Sequence, residues 1–441
     1  MMNKGLSNQI KDKLIQQALA RKLKQHHTEQ QNSVPLTKSV DKISESFCRF
    51  DQHSGYKQLQ LIQKGASQLG IDNLFFRVHE GIAGATTQIN GQTYINYASY
   101  NYLGLSGDAR VAQAAKDAID QYGTSVSASR LVSGERPIHR ELERAIAKMY
   151  GVDDAVVFVS GHATNVTTIG YLFGVKDLII HDELIHNSTL MGIQLSGAKR
   201  LSFPHNDYEV LEQLLSEQRR HYERVLIVLE GLYSMDGDYP DLPQFIEIKQ
   251  RHKAFLMVDE AHSFGVMGQH GFGLREHFGV EGDAVDIWMG TLSKSLAGCG
   301  GYIAGAFALV EHLKFLAPGF LYSVGMAPPI AAAALSALQI MQQEPERVAL
   351  LHERSAYFLA KAKTLNIDVG HSQGIAIIAA ITGSSVAAAR LSMSLFSQGI
   401  NVQPILYPAV PEKSARLRFF ISCEHSELQI DHTLKILHAH Q

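Results

Sequence analysis

Short apolar runs at 155–159, 178–181, 225–229, 255–258, 287–289 and 302–304 punctuate the middle of the chain. Each is the length of a strand, and helix-length stretches of mixed polarity lie between them. That alternation predicts a mostly parallel sheet covered by helices on both faces, in which strands read as continuous apolar runs. Short β-like runs lie between 75 and 97, with Ile89-Asn90-Gly91-Gln92 as a hairpin turn. After Pro328-Pro329 an alanine-rich helix follows, and 375–381 and 417–422 read as strands of a smaller α+β domain. Residues 1–60 differ in being rich in Gln, Lys, His and Ser. Within them 10–23 has helical spacing, which suits an amphipathic helix followed by a linker at Ser33-Val34-Pro35, or equally a disordered tail. The pattern predicts a polar extension at 1–60, an N-terminal segment at 61–105, a large domain at 106–330 and a small domain at 331–441. No internal repeat interrupts it.

Composition narrows the class. The 441 residues are 45% hydrophobic and 19% charged with a net charge of −3, values of an ordinary globular protein with no electrostatic bias toward nucleic acid or a membrane surface. Cys48, Cys299 and Cys423 are too scattered for a disulfide framework or a zinc site, which suits a reducing, cytoplasmic setting. With no apolar run of about eighteen residues and no signal-like start, neither export nor a membrane span is expected.

Two segments carry the chemistry. Met257-Val258-Asp259-Glu260-Ala261-His262 places Asp259 at the carboxyl end of a buried strand, the edge where open α/β sheets bind ligands. A carboxylate there needs a cationic partner, and a protonated pyridine nitrogen is one. Asp286-Ile287-Trp288-Met289 reads as another strand, ending in Gly290-Thr291 and then Lys294. A lysine at pKa ~10.4 is only about 0.04% neutral at pH 7, but one condensed with an aldehyde escapes that limit. Together they suit pyridoxal phosphate; the plainer alternative is a helix cap at Asp259 and a surface lysine at 294.

Supporting positions fall on the same edge. Ser160-Gly161-His162-Ala163-Thr164-Asn165 follows a strand and opens a helix, whose first backbone N–H groups suit a phosphate. Thr291 could add a hydroxyl. His186 follows another strand and could stack on a ring, although a lone histidine is commonly a core or surface residue. The chain lacks a Walker loop, a G-x-G-x-x-G after a strand and a G-x-S-x-G elbow, and the spacing of His181 and His186 is wrong for a zinc helix, so no metal is expected.

Taken in order, Tyr100 to Leu105, Ser160 to Asn165, Glu230 to Asp238, the Asp259 and Lys294 segments, and Ala415 to Arg418 resemble the α-oxoamine synthases from about residue 75 onward. The resemblance implies an α/β, fold-type I (aspartate aminotransferase-like) pyridoxal-phosphate transferase with a large mostly parallel sheet and a smaller C-terminal domain. It further implies that Lys294 binds the cofactor's aldehyde and moves the Cα proton, and that Asp259 pairs with the pyridinium. His262 would bond the ring hydroxyl and His186 would stack. Ser234 and Thr291 would support ring hydroxyl and phosphate, with Gly161 and His162 contributing backbone. Asn101 would approach the substrate, Arg418 would receive its carboxylate, and in a homodimer with interfacial sites Ser323 would reach the partner's phosphate. The implied reaction condenses glycine, alanine or serine with an acyl thioester and releases carbon dioxide.

In one place the chain departs from the family. Thr124-Ser125-Val126-Ser127-Ala128-Ser129-Arg130 stands where members using coenzyme A often have a glycine- and serine-rich loop. Val126 and Ala128 are expected to add bulk there, as in the oxoamine synthase domains found beside acyl carrier proteins. An acyl carrier protein is therefore a possible partner, with 1–60 as the linker. The rival readings are an aminotransferase or aldolase of the same fold, and a cofactor-binding protein that does not catalyse.

Overall fold

The computed structural model describes residues 43–71 and 74–440, so the helix expected at 10–23 and the linker at Ser33-Val34-Pro35 lie outside the described residues. The chain divides into two units between Arg77 and Val78. In the first, the helix Ser54–Gln68 is capped by His53, whose Nδ1 accepts from the Gly55 N–H at 3.2 Å. This helix runs across the boundary expected at 60/61, because Tyr56, Leu59 and Ile62 continue a helical spacing through the polar composition.

The second unit is built on a sheet of seven strands. In chain order they are β3 (Asp154–Phe158), β4 (Leu178–Asp182), β5 (Lys199–Phe203), β6 (Val225–Glu230), β7 (Phe255–Asp259), β8 (Ile287–Thr291) and β9 (Gly301–Gly305), after a hairpin of β1 (Thr86–Ile89) and β2 (Gln92–Asn96). Their spatial order is β3-β9-β8-β7-β6-β4-β5. The pairs β4–β5, β4–β6, β6–β7 and β7–β8 are parallel, whereas β9 runs antiparallel to both β3 and β8.

Both faces of the sheet are covered, and the apolar runs show why. Along β6, Val225, Ile227 and Leu229 join one core cluster while Leu226 and Val228 join the other. A strand with two buried faces has no polar alternation, which is the pattern its sequence displays. β5 differs: Lys199 and Arg200 are exposed on this edge strand, so its polarity hid it from a reading based on apolar runs.

The hairpin expected at Ile89-Asn90-Gly91-Gln92 is present, with φ of 52° at Asn90 and 72° at Gly91, the two positive values a type I′ turn requires. It does not form a separate N-terminal element, since β2 pairs in parallel with β11 (Ile400–Asn401). A second small sheet has the order β10 (Ile377–Ile381), β13 (Arg416–Phe420), β12 (Gln403–Ile405). The alanine-rich helix Pro328–Gln343 packs on the helices Ala109–Tyr122 and Pro137–Tyr150 of the large domain, with Ala331, Ala334 and Ala337 buried. The expected 330/331 boundary therefore cuts through large-domain packing.

Ile227, fully buried at the centre of β6, tests the core. Ile227→Ala is expected to lower stability by about 3 kcal/mol in urea unfolding, the usual cost of removing a buried branched side chain.

Candidate active site

A cavity of about 190 Å³ opens at the carboxyl edge of β6, β7 and β8, walled by Gly161, His162, His186, Asp259, His262, Thr291 and Lys294 among others. Seven of the residues singled out in the sequence thus meet in one place. A larger hollow of about 670 Å³ lies at the opposite edge, where Phe255 and Ile287 begin their strands. Its wall mixes Phe173, Phe255, Ile287 and Leu309 with charged groups such as Arg224 and Asp286, but contains neither the lysine nor the strand-end carboxylate, so the smaller cavity is the chemical site.

Asp259 ends β7, buried. Its Oδ2 accepts from Asn165 Nδ2 at 2.8 Å and its Oδ1 from the Ala261 N–H at 3.0 Å. The second proton of the Asn165 amide goes to Ser188 Oγ at 2.9 Å, and that hydroxyl lies 2.7 Å from His186 Nδ1. His186 Nδ1 also accepts the Ser188 N–H, at 3.3 Å, which assigns the proton of a neutral ring to Nε2. Desolvation holds His186 below the ordinary histidine value, against the pull of Asp259.

Lys294 sits in the loop between β8 and β9, which is pinned where Leu292 N–H donates to Gly300 O at 3.0 Å and Gly298 N–H to Leu292 O at 2.8 Å. Desolvation pushes its amine down to about 8, although Asp259 pulls the other way. Its Nζ stands 5.6 Å from the centre of the Tyr100 ring. His262 is buried with Nδ1 2.9 Å from the Tyr102 hydroxyl. Burial, and then the positive charges of Lys294 and Arg418, hold it well below its usual pKa, so it is neutral.

The helix Gly161–Leu172 begins at the cavity, where Ser160 Oγ accepts from the Ala163 N–H at 3.4 Å. Its unpaired first N–H groups give an anion site. A Cβ on Gly161 would stand 2.9 Å from Thr291 Oγ1, so glycine lets the helix end approach β8. Thr291 Oγ1 donates to Gly300 O at 2.8 Å.

Four expected residues lie outside this wall. Asn101 donates from Nδ2 to Ala83 O at 2.8 Å and accepts at Oδ1 from the Ser106 N–H at 3.1 Å, so its side chain is committed to fixing its own loop. Arg418, on β13, stacks 4.5 Å from the Phe420 ring centre and donates to Ser234 O at 3.0 Å, while its buried Nε has no partner among the described residues. Ser234 thus touches Arg418 through its backbone. Ser323 borders a different hollow of about 50 Å³ with Arg130, Phe320 and Gly325. Val126 is buried, with its side chain against Gly325, so its bulk is absorbed within the chain and does not narrow an open loop.

The loop following β6 is held from two sides. Arg416 and Arg418, two apart on one strand and so on one face, reach it together: Arg416 NH1 donates to Asp236 Oδ1 at 2.6 Å. From the other side His205 bridges Asp182 at 3.0 Å and Asp238 at 2.8 Å. Gly237, at φ 75°, passes so close to the Ile377 carbonyl that no Cβ would fit.

Asn165, Ser188, Glu230 and Tyr102 were not singled out in the sequence. Asn165 could have been, since it is four residues beyond Gly161 on the same helix face. Glu230 could have been too, since it ends the apolar run 225–229 as Asp259 ends 255–258, although only the strand register sets the two side by side.

The site fits pyridoxal phosphate on its own features. A strand-end carboxylate, a depressed lysine amine and a helix end surround one cavity, which Glu230 and Asn165 also line; Glu230 Oε1 and Asn165 Oδ1 are enclosed without a partner among the described residues. Residues 92–437 match the aminotransferase class I and II family. An 8-amino-7-oxononanoate synthase from Fervidobacterium nodosum is 42% identical over 81% of this chain and 91% of its own length. A Sphingomonas wittichii serine palmitoyltransferase superposes with TM-score 0.84 at 29% identity, covering 88% of this chain and 97% of that one. A serine palmitoyltransferase from S. paucimobilis with a bound PLP–myriocin aldimine gives 0.84 at 28% identity over the same shares.

The His205 bridge makes a testable link to pH. Burial alone would lower its pKa, but the hydrogen bonds to Asp182 and Asp238 raise it to about 10. The folded value exceeds the unfolded one of ~6.5, so this stabilisation is complete below ~6.5 and lost as pH rises through about 10. Thermal unfolding is expected to show Tm falling across that window in the parent protein, with a flatter profile in His205→Leu.

Proposed function

This chain belongs to the α-oxoamine synthases within the aminotransferase class I and II family, and we propose that it condenses a small amino acid with an acyl thioester, releasing carbon dioxide, as a pyridoxal-phosphate-dependent acyltransferase. The observation that carries this reading is the meeting of Lys294 and Asp259 in one cavity at the ends of neighbouring strands. The cofactor, when bound, supplies an aldehyde to receive amines and a cationic ring to take up the electron pair freed at Cα.

The residues around it divide the work. At about 8, roughly a tenth of Lys294 is neutral at pH 7, against about 0.04% for an ordinary lysine, so its amine can accept the Cα proton. Asp259, fixed by Asn165 and the Ala261 N–H, keeps negative charge for the ring nitrogen. The neutral imidazoles of His186 and His262 border the ring space without adding positive charge. Arg418 has a buried Nε available for the amino acid's carboxylate, and Phe420 fixes the guanidinium plane. Asn101 serves this arrangement by setting the loop that carries Tyr100 and Tyr102.

We further infer a homodimer. Leu131, Val132, Tyr322 and Val324 are exposed apolar residues on segments joined by the Gly325 N–H to Ala128 O bond at 3.0 Å. A second copy covering them would bring Ser323 toward the partner's phosphate site. Sedimentation is expected to give twice the chain mass. A carrier-bound acyl donor rests on the resemblance of the 124–130 segment and the polar extension alone, because Val126 faces inward. Among the described residues no helix is long and apolar enough to cross a membrane, and the exposed Cys48 and Cys299 are free thiols, which supports a cytoplasmic enzyme.

The test is carbon dioxide release from carboxyl-labelled glycine, alanine and serine, each with acyl thioesters of coenzyme A and of carrier protein. Release that requires a thioester is expected, with Lys294→Ala reducing it by at least ~10³-fold. Turnover by Lys294→Ala near the parental rate overturns the assignment.

A further inference from the structure

Beside Asp259 lies a second buried carboxyl that the reaction as described does not use. Glu230 ends β6 and is the direct register partner of Asp259 on β7, so two acidic side chains stand at the same edge of one cavity. Their surroundings are unequal. Asp259 receives hydrogen bonds from Asn165 and the Ala261 N–H, whereas Glu230 Oε1 is fully enclosed and has no partner among the described residues. The charged groups acting on Glu230 are Asp259 on β7, Asp182 on β4 and Lys294 on the loop after β8, and the Ser234 backbone amide faces its carboxyl.

Two neighbouring carboxyls in a closed space do not both ionise, and charge settles on the one with donors. On the reading of the cofactor given above, we propose that Glu230 is an uncharged hydrogen-bond donor of the active site, presenting its proton from the cavity wall to an anionic oxygen of the bound cofactor or of the amino acid joined to it. Burial first, and then the Asp259 charge, raise the Glu230 pKa well above the ordinary carboxyl range, in keeping with this geometry. The arrangement gives the site a negative group for a ring nitrogen and a neutral donor for an oxygen from adjacent strand ends. Neighbouring Glu260 is also raised by burial, to about 8, but it does not line the cavity: its Oε1 accepts from the Leu274 N–H at 2.7 Å and its Oε2 from the Tyr150 hydroxyl at 3.3 Å.

The experiment compares the full-length holoenzyme with Glu230→Gln, which keeps shape and a donor, and Glu230→Leu, which keeps neither charge nor donor. Three readings are taken: the infrared difference between parent and Glu230→Gln in the carbonyl region of protonated carboxyls, the pH midpoint of the visible cofactor absorption, and the dissociation constant of the amino acid. A protonated-carboxyl band at neutral pH is expected in the parent and absent from Glu230→Gln. Glu230→Leu is expected to move the midpoint by about one pH unit if the acceptor is the cofactor's oxygen, or to weaken amino-acid binding about ten-fold if it is the substrate's carboxylate, with Glu230→Gln near the parent in both. Absence of the band overturns the proposal, as does Glu230→Gln matching Glu230→Leu, or neither variant changing either reading. A parent protein with no visible absorption on adding pyridoxal phosphate overturns the cofactor reading instead, and the infrared band then decides the state of Glu230 by itself.

Discussion

A negative charge kept inside an apolar sheet is the constraint around which this molecule is arranged. Asp259 follows a run of residues buried on both sides, and an ion in such surroundings is expensive unless donors converge on it. The Asn165 amide and the Ala261 backbone N–H supply them, and the amide continues through Ser188 to His186. The helix Gly161–Leu172 therefore does two jobs with one placement. Its first turn faces the anion end of the cavity and its second fixes the carboxylate, and the absence of a side chain at Gly161 is what permits the approach.

The outer layer acts on loops more than on reacting groups. Arg416 and Arg418 reach the segment after β6 from the small sheet, His205 grips it from the turn after β5, and Gly237 lets it pass beneath β10. Desolvation comes first in keeping His262 and His186 neutral close to two carboxyls, and the positive charges of Lys294 and Arg418 add to it.

Much of the sheet was legible because burial on both faces leaves a continuous apolar run, and Asn90-Gly91 specified its turn through backbone φ alone. Asp259, Thr291 and Lys294 were legible because a strand end is a fixed address in this architecture. What escaped has physical reasons. β5 is an edge strand with exposed Lys199 and Arg200, and hydropathy contains no sign of strand direction, so the reversal of β9 left no trace. An asparagine serves backbone or ligand equally well, and Asn101 turned out to serve backbone. The inward turn of Val126 depends on Gly325, two hundred residues away by order of magnitude, a proximity no local pattern encodes.

The pairing of β2 with β11 has a consequence for how the molecule comes into being. Strand β2 leaves the ribosome early and finds its neighbour only when residues 400–401 emerge, and β13, which bears Arg418, comes later still. The carboxylate and the lysine are complete while that arginine is unmade. On the roles proposed for these residues, a nascent chain acquires the means to hold a cofactor before it can grip a substrate, and the two abilities are separated by more than a hundred residues of synthesis, on the order of ten seconds at ordinary elongation rates.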